Sequence, residues 1–528
     1  MLIQTDRTEI APPAPIEDHA QALMREARRR TRRRRTRRAA AIAVLIGIGA
    51  AAYATLSGGS GGVFSETASR PYANLHAFSD DGQLAFISRG AAWVLDGEQG
   101  TLRRLPAPAG SAPSSPVFSH DGRWLAYIVG HSLYSYGPST LWIAHGNGTD
   151  AHPVRRLTVN QFIGWSPSAD LVAVATGESK HGLYGSPTAL DLVSPSGRLR
   201  TLFTRSTRRA IVTQGAIQSA VWSPSGRSLA LSTHSPDRDS GTQILSIPVS
   251  GARPTVWLSI PNRQRLTGSL SCGPDCGGGD TIAQLAGWWP KRGIGFWVFS
   301  SGMTRNSDST PLAAIGKPGA QPRFVAETLS DAVTDAVTAS RSGELALVAS
   351  GNAGRDYADQ KTLEACSPST FRCSALPGGS TWTGPPLTCK PCFNGPATGQ
   401  GSAVSLDPAW SPDGTLLAYA KAPVYRAGGN PRLDWFQAHQ LYLWDSQTGA
   451  TRRIGTITGS ELPTWSSNGK LLLYVSADGL WLADTATGKA VEIEHPLYRE
   501  SAWKQVGTTA LSFYGQIPWS GQFSWHSS

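Results

Sequence analysis

The sequence predicts an all-β protein: a β-propeller of four-stranded blades, eight by best count and within a range of seven to nine, preceded by one N-terminal transmembrane helix. Three observations predict it. An aromatic residue, a short polar turn and an apolar strand recur eight or nine times along the chain. Gly (57), Pro (36) and Trp (18) are abundant while 16% of residues are charged, which suits many short strands joined by tight turns. A basic tail leads directly into an uncharged apolar stretch near the N-terminus.

The chain of 528 residues opens with that tail, residues 1–38, in which nine arginines lie between Arg28 and Arg38. Residues 39–56 carry no charge and centre on Ile42, Val44, Leu45, Ile46 and Ile48. As a helix they extend about 27 Å, enough to cross a bilayer core of ~30 Å. The arginine flank places the tail in the cytoplasm and the rest of the chain outside. Cleavage as a secretory signal, at Ala52-Tyr53-Ala54, is the competing reading, and the length of the flank favours an uncleaved anchor. The net charge of +11 is therefore not read as a nucleic-acid signal, because much of it abuts the expected membrane segment. Residues 57–72 form a Gly/Ser-rich linker. Their Gly-x-Ser-x-Gly run, Gly58 to Gly62, has no strand before it and no helix after it, so it is not a nucleophile elbow.

Residues 73–528 hold the repeat. Its clearest copies are Trp410-Ser411-Pro412-Asp413-Gly414 and Phe118-Ser119-His120-Asp121-Gly122, each followed by an apolar strand. Others start at Phe78, Trp165, Trp222 and Trp465, with degenerate versions near Trp288/Trp289, Ala339 and Trp503. Successive copies are 38 to 71 residues apart, so the shortest match one propeller blade and the longest carry insertions. In each unit the aromatic is expected to end an inner strand, with Asp and Gly supplying the turn that follows. Apolar runs such as Leu84-Ala85-Phe86-Ile87 and Leu471-Leu472-Leu473-Tyr474 supply the second strand, and Leu441-Tyr442-Leu443-Trp444-Asp445 is a third. The final strands and the chain start are expected to share ring closure.

The stretch from Trp410 to Asp445 resembles the TolB-type, WD40-like propeller repeat of bacterial cell-envelope proteins, and the resemblance extends over roughly residues 73–528. It implies fold more than activity, since such repeats serve scaffolds, sensors and the propeller domains of peptidases. TolB carries an α/β domain where this chain has its expected anchor, so no role in the Tol–Pal system follows.

Unequal connections suggest where function sits. Turns after each anchor aromatic are short, whereas many second-to-third strand and blade-to-blade connections are long, and propeller geometry gathers both long classes on one face. That face is expected to display Tyr134, Tyr136, Lys180, His181, Tyr184, His234, Arg238, Arg305, Tyr425, Arg426, Arg432, Trp435 and His439 as partner- or ligand-binding residues. The six cysteines fall beyond the membrane segment in three close pairs, Cys272/Cys276, Cys366/Cys373 and Cys389/Cys392, and are read as disulfides. Cys366 and Cys373 flank a hairpin-like turn. A four-cysteine zinc site and a redox Cys389-x-x-Cys392 are the alternatives for the other two pairs.

No metal site, cofactor motif or catalytic elbow is recognised; Asp237-Arg238-Asp239-Ser240-Gly241 lacks the closing Glu of a calcium loop. The expected function is a single-pass extracytoplasmic propeller that binds a protein or envelope ligand on its long-loop face, with the membrane as a further partner and no nucleic acid. The rivals are an envelope hydrolase or lyase, needing several of His131, His181, His234, Asp237, Asp239 and His439 to converge, and a single-pass signalling partner.

Overall fold

The computed structural model describes residues 70–130, 139–177, 187–204, 217–234, 241–261, 281–300, 310–330, 337–350, 361–367, 372–376, 403–423, 438–456, 458–476, 479–497, 519 and 521–528. The expected tail, membrane segment and Gly/Ser run lie outside them. The described residues form eight antiparallel sheets, which we number as blades 1 to 8.

Blade 2 comprises Ala112–Phe118, Trp124–Gly130, Thr140–His145 and His152–Pro153; blade 3, Val159–Trp165, Val172–Thr176, Ala189–Val193 and Leu199–Thr204. Blade 4 runs Ile217–Trp222, Ser228–His234, Thr242–Pro248, Thr255–Ile260, and blade 5 runs Thr281–Trp289, Gly293–Ser300, Thr310–Ile315, Arg323–Ser330. Blade 6 is built of Val337–Ala339, Leu345–Ser350, Lys361–Cys366 and Cys373–Ala375. Blade 7 holds Ala403–Trp410, Leu416–Pro423, Gln440–Asp445 and Thr451–Ile454.

The ring closes with both ends of the propeller. The last strand of the chain, Phe523–His526, pairs with Gln83–Ser88 and becomes the first strand of blade 1, ahead of Ala91–Asp96 and Thr101–Arg104. Tyr72–Ala73 joins the outer edge of blade 8, beside Ala490–His495, after Ser460–Trp465, Leu471–Ser476 and Gly479–Asp484. Eight blades and shared closure are as the repeat predicts. One detail differs. Phe78 ends no strand; it is buried ahead of the second strand, and Trp525 takes the anchor position opposite Leu84. The reason is that blade 1 borrows its first strand from the far end of the chain. Trp503 lies outside the described residues.

The second strands explain why the sheets stack. Their side chains alternate, so Ala85 and Ile87 enter a cluster with blade 2 while Leu84 and Phe86 enter one with blade 8. Every pair of neighbouring blades encloses one such cluster, including blades 8 and 1. Full burial on both faces is why these strands read as nearly continuous apolar runs.

Anchor tryptophans tie the blades together by hydrogen bonds as well. The indole nitrogens of Trp165, Trp222 and Trp465 donate to the carbonyls of Val117, Gly164 and Ala409, at 2.9, 3.0 and 2.9 Å. Each carbonyl belongs to the residue just before the previous blade's anchor. The turn after the anchor is held by its own serine. Ser411 Oγ donates to Asp413 Oδ1 and accepts from the Leu416 amide, while Asp413 also accepts from the Thr415 amide. Ser466 and Asn468 repeat the arrangement, and Gly414 and Gly469 take the left-handed conformation it requires. Three residues before the anchors Phe118, Trp410 and Trp465, the residues Ser115, Asp407 and Leu462 adopt φ of 51, 51 and 52° within a β-bulge of the first strand.

Candidate functional site

Antiparallel pairing sorts the connections. First-to-second and third-to-fourth strand turns meet at one edge of each sheet and span at most seven residues. Second-to-third and blade-to-blade connections meet at the opposite edge, and there lie 131–139, 177–188, 424–439, 261–280 and 376–402. Blades 1 and 8 are the exceptions, with tight second-to-third links at Arg89–Gly90 and 477–478. The long connections thus belong to blades 2 to 7 and to the link from blade 8 to blade 1, 496–522.

Buried polar residues divide between the two edges. At the short-turn edge they are mainly the capping serines Ser119, Ser166, Ser223, Ser340, Ser411 and Ser466. At the long-connection edge they include Ser88, Thr176, His234, Thr242, Thr281, His439, Ser460, Glu461 and Glu494. A layer of titratable and hydroxyl groups thus lies at the edge from which the long connections depart.

Two parts of this layer are well defined. Between blades 4 and 5, His234 Nδ1 is 2.9 Å from Thr242 Oγ1, whose hydroxyl donates to the Thr281 carbonyl. Between blades 7 and 8, His439 Nδ1 lies 3.7 Å from Glu461 Oε1, and both side chains are almost completely buried. Glu461 Oε2 accepts from the indole of Trp519 at 3.1 Å, a residue of the segment leading to the closing strand. Burial drives the Glu461 pKa well above the ordinary carboxylate value, the charge of Asp407 adds to this, and the Trp519 bond opposes it. Burial thus works against a charge on Glu461, which shares its enclosed site with the His439 ring.

The expected binding residues divide accordingly. His234 and His439 are at the predicted edge, but inside the fold rather than presented on a loop, because each starts or ends a strand pairing whose neighbours cover it. They sit three blades apart and do not converge. Tyr134, Tyr136, Lys180, His181, Tyr184, Arg238, Arg305, Tyr425, Arg426, Arg432 and Trp435 lie outside the described residues, as do His131, Asp237 and Asp239. Cys366 and Cys373 form the expected disulfide and face one another in register on blade 6. Cys272, Cys276, Cys389 and Cys392 are outside the described residues. Glu461 and Trp519 were not legible as a pair, since 58 residues separate them and only ring closure joins them.

On the short-turn edge, His120, Asp121 and Asp170 bring metal-type ligand atoms within 4.8 Å of one another. The Arg123 guanidinium already bridges the two carboxylates, at 2.9 Å to Asp170 and in contact with Asp121. Two of the three groups are thus already engaged by a cation of the protein's own.

No family model and no curated protein matches the sequence. Among solved structures, the chain is similar to an oligogalacturonate lyase in complex with manganese, with a TM-score of 0.40, 10% identity, and coverage of 78% of this chain and 85% of that one. It is similar to the dihydro-heme d1 dehydrogenase NirN, with a TM-score of 0.45, 12% identity, and coverage of 81% and 75%. It is also similar to a prolyl endopeptidase, with a TM-score of 0.41 and 12% identity, covering 87% of this chain but 61% of that one. At such identities the likeness concerns propeller fold alone, and it carries no activity over to this chain.

Proposed function

We propose that this chain is a membrane-anchored scaffold or receptor of the TolB-type repeat class, binding a protein or cell-envelope ligand on its long-connection face. The observation that supports this reading most is the asymmetry between the two edges. One edge is made of minimal turns that cap themselves. The other, from which the long connections depart, holds a buried layer of polar groups. Insertions accumulate where binding groups are displayed and the scaffold stays rigid. The apolar stretch at 39–56 would hold the ring outside the cell, at the membrane surface.

The test replaces 178–186 or 424–437 by short Gly-Ser links in the ring of residues 67–528. Partners are then captured from envelope extract by intact and altered rings. A discrete protein or glycan retained by the intact ring and lost from a folded altered ring is the expected result. Equal capture by both altered rings would overturn the assignment of binding to this face.

The enclosure of Glu461 beside His439, which raises the carboxyl pKa, favours a second reading, an envelope hydrolase or lyase using Glu461 as a buried acid. Turnover of a glycan or peptide by the ring, abolished in Glu461→Gln without loss of fold, would put that reading first.

A further inference from the structure

We infer that the short-turn face of blades 4 to 6 is an electrostatic docking surface for an anionic lipid bilayer. Each of these three blades presents one exposed cation on each of its two turns. Blade 4 carries Arg227 and Arg253, blade 5 carries Lys291 and Lys317, and blade 6 carries Arg341 and Arg372. Two turns of one blade are two strand spacings apart, about 10 Å. The result is a two-by-three array of positive charge on one sector of the ring.

The array arises because the turn acids are missing there. Elsewhere the same turns hold Asp80, Asp81, Asp121, Asp150, Asp170, Asp413, Asp445 or Asp484 at or beside them. In blades 4 and 6, Ser225 and Ser342 stand where Asp121 and Asp413 stand in blades 2 and 7, and blade 5 has the shorter Pro290-Lys291-Arg292. Glu344 is the acidic residue within the six turns, and it is half-buried and electrostatically coupled to Arg292. Arg292 itself is buried and binds the carbonyls of Gly343 and Cys366 across the blade 5–6 boundary. No ion pair among the described residues engages Arg227, Arg253, Lys291, Lys317 or Arg341.

The shape of the surface selects the occupant. The inner turns of blades 5 and 6 pack edge to edge, Gly343 against Pro290 and Lys291, so the cations of these two blades stand on a floor of short turns. Among the described residues, the exposed large apolar side chains Tyr72, Leu199, Val256 and Val491 all belong to outer strands and none to these turns. A protein interface would need an apolar centre, and a single-stranded nucleic acid would need aromatic platforms. Cations spread on a floor without either suit a planar anionic surface. Each contributes roughly a fivefold gain in partition within a Debye length of that surface. The membrane anchoring proposed above would supply the surface at high local concentration. The docking itself requires no anchor, so the ring alone tests it.

The ring of residues 67–528, a compact unit with its own closed core, would be sedimented with vesicles of neutral phosphatidylcholine, with and without 30% phosphatidylglycerol. Binding to the anionic vesicles alone, weakened steeply by added salt, is expected. The triple variant Arg253→Gln, Lys291→Gln, Lys317→Gln should lose roughly a hundredfold in partition. Lys470→Gln with Lys489→Gln, on blade 8, should lose far less, and all rings should unfold at similar temperatures. Undiminished vesicle binding by the folded triple variant would overturn the proposal. So would a ring that ignores anionic vesicles while binding a soluble polyphosphate. Partner capture through the long connections should be unaffected by the triple variant, so failure here leaves the proposed function standing, and the converse also holds.

Discussion

Glu364 shows how one side chain can set the pH response of this fold. It lies on the third strand of blade 6, where burial raises its pKa from 4.5 to about 7. Below 4.5 the folded and unfolded chains both carry the proton, and the residue costs nothing. Between 4.5 and about 7 the unfolded chain has lost its proton while the fold retains it. Stability therefore falls as pH rises through this window, at up to about 1.4 kcal/mol per unit, and above it the cost is constant. Glu364→Gln should remove this component. Denaturant titrations should find the variant more stable than the parent at pH 7.5 and little different at pH 4. A parent-to-variant difference that stays constant across that range would show Glu364 to be ordinarily solvated. Glu461 has the same sign, because burial raises its pKa too, and Glu461→Gln should likewise lessen the loss of stability as pH rises.

At the scale of the element, the turn carries more of the repeat than its apolar strand does. Ser411→Ala removes the acceptor for the Leu416 amide and the donor to Asp413, in a buried position. The cost should be about 1–3 kcal/mol, read as a lowered urea midpoint at unchanged slope. The hydrogen bonds from Ser411 and from the Thr415 amide also hold the Asp413 pKa below the ordinary carboxylate value. That contribution is present above 3.8 and is lost as pH falls through the lowered value, so the turn weakens in acid. These turns were legible in the sequence because Ser, Asp and Gly each have a local job there. The bulges at Ser115, Asp407 and Leu462 were not, since three different residue types take the same conformation and no common residue marks the position. Blade 6 was nearly illegible for a related reason. Its anchor is Ala339, and the interface is filled instead by Trp289 and Trp297 from blade 5. The two histidines were placed at the correct edge, but their burial depends on blade contacts that no local pattern records.

Across the whole molecule, closure makes stability a property of the two ends of the ring, and the two ends are unequal. Tyr72–Ala73 adds two residues to the outside of blade 8, and Tyr72 remains 46% exposed while stacking on His495 at 4.8 Å. Phe523–His526 forms the innermost strand of blade 1. Its Trp525 indole donates to the Asp81 carbonyl, and its Ser524 hydroxyl accepts from the Phe118 amide of blade 2. Just upstream, Trp519 is buried in the blade 8–1 cluster with Phe78, Leu84 and Leu497. Ending the chain after Trp519 would expose the inner edge of blade 1 and uncover part of the clusters on both sides of it, whereas beginning it at Asn74 removes one short outer pairing. The first truncation should therefore lower the unfolding midpoint far more than the second and broaden the transition, as a ring without a closing strand loses cooperativity. Added in trans, a peptide of residues 517–528 should restore part of the lost midpoint by occupying the vacant inner edge, in the manner of strand addition. Equal midpoints for the two truncated rings would mean that the eight blade interfaces hold the ring without either clasp.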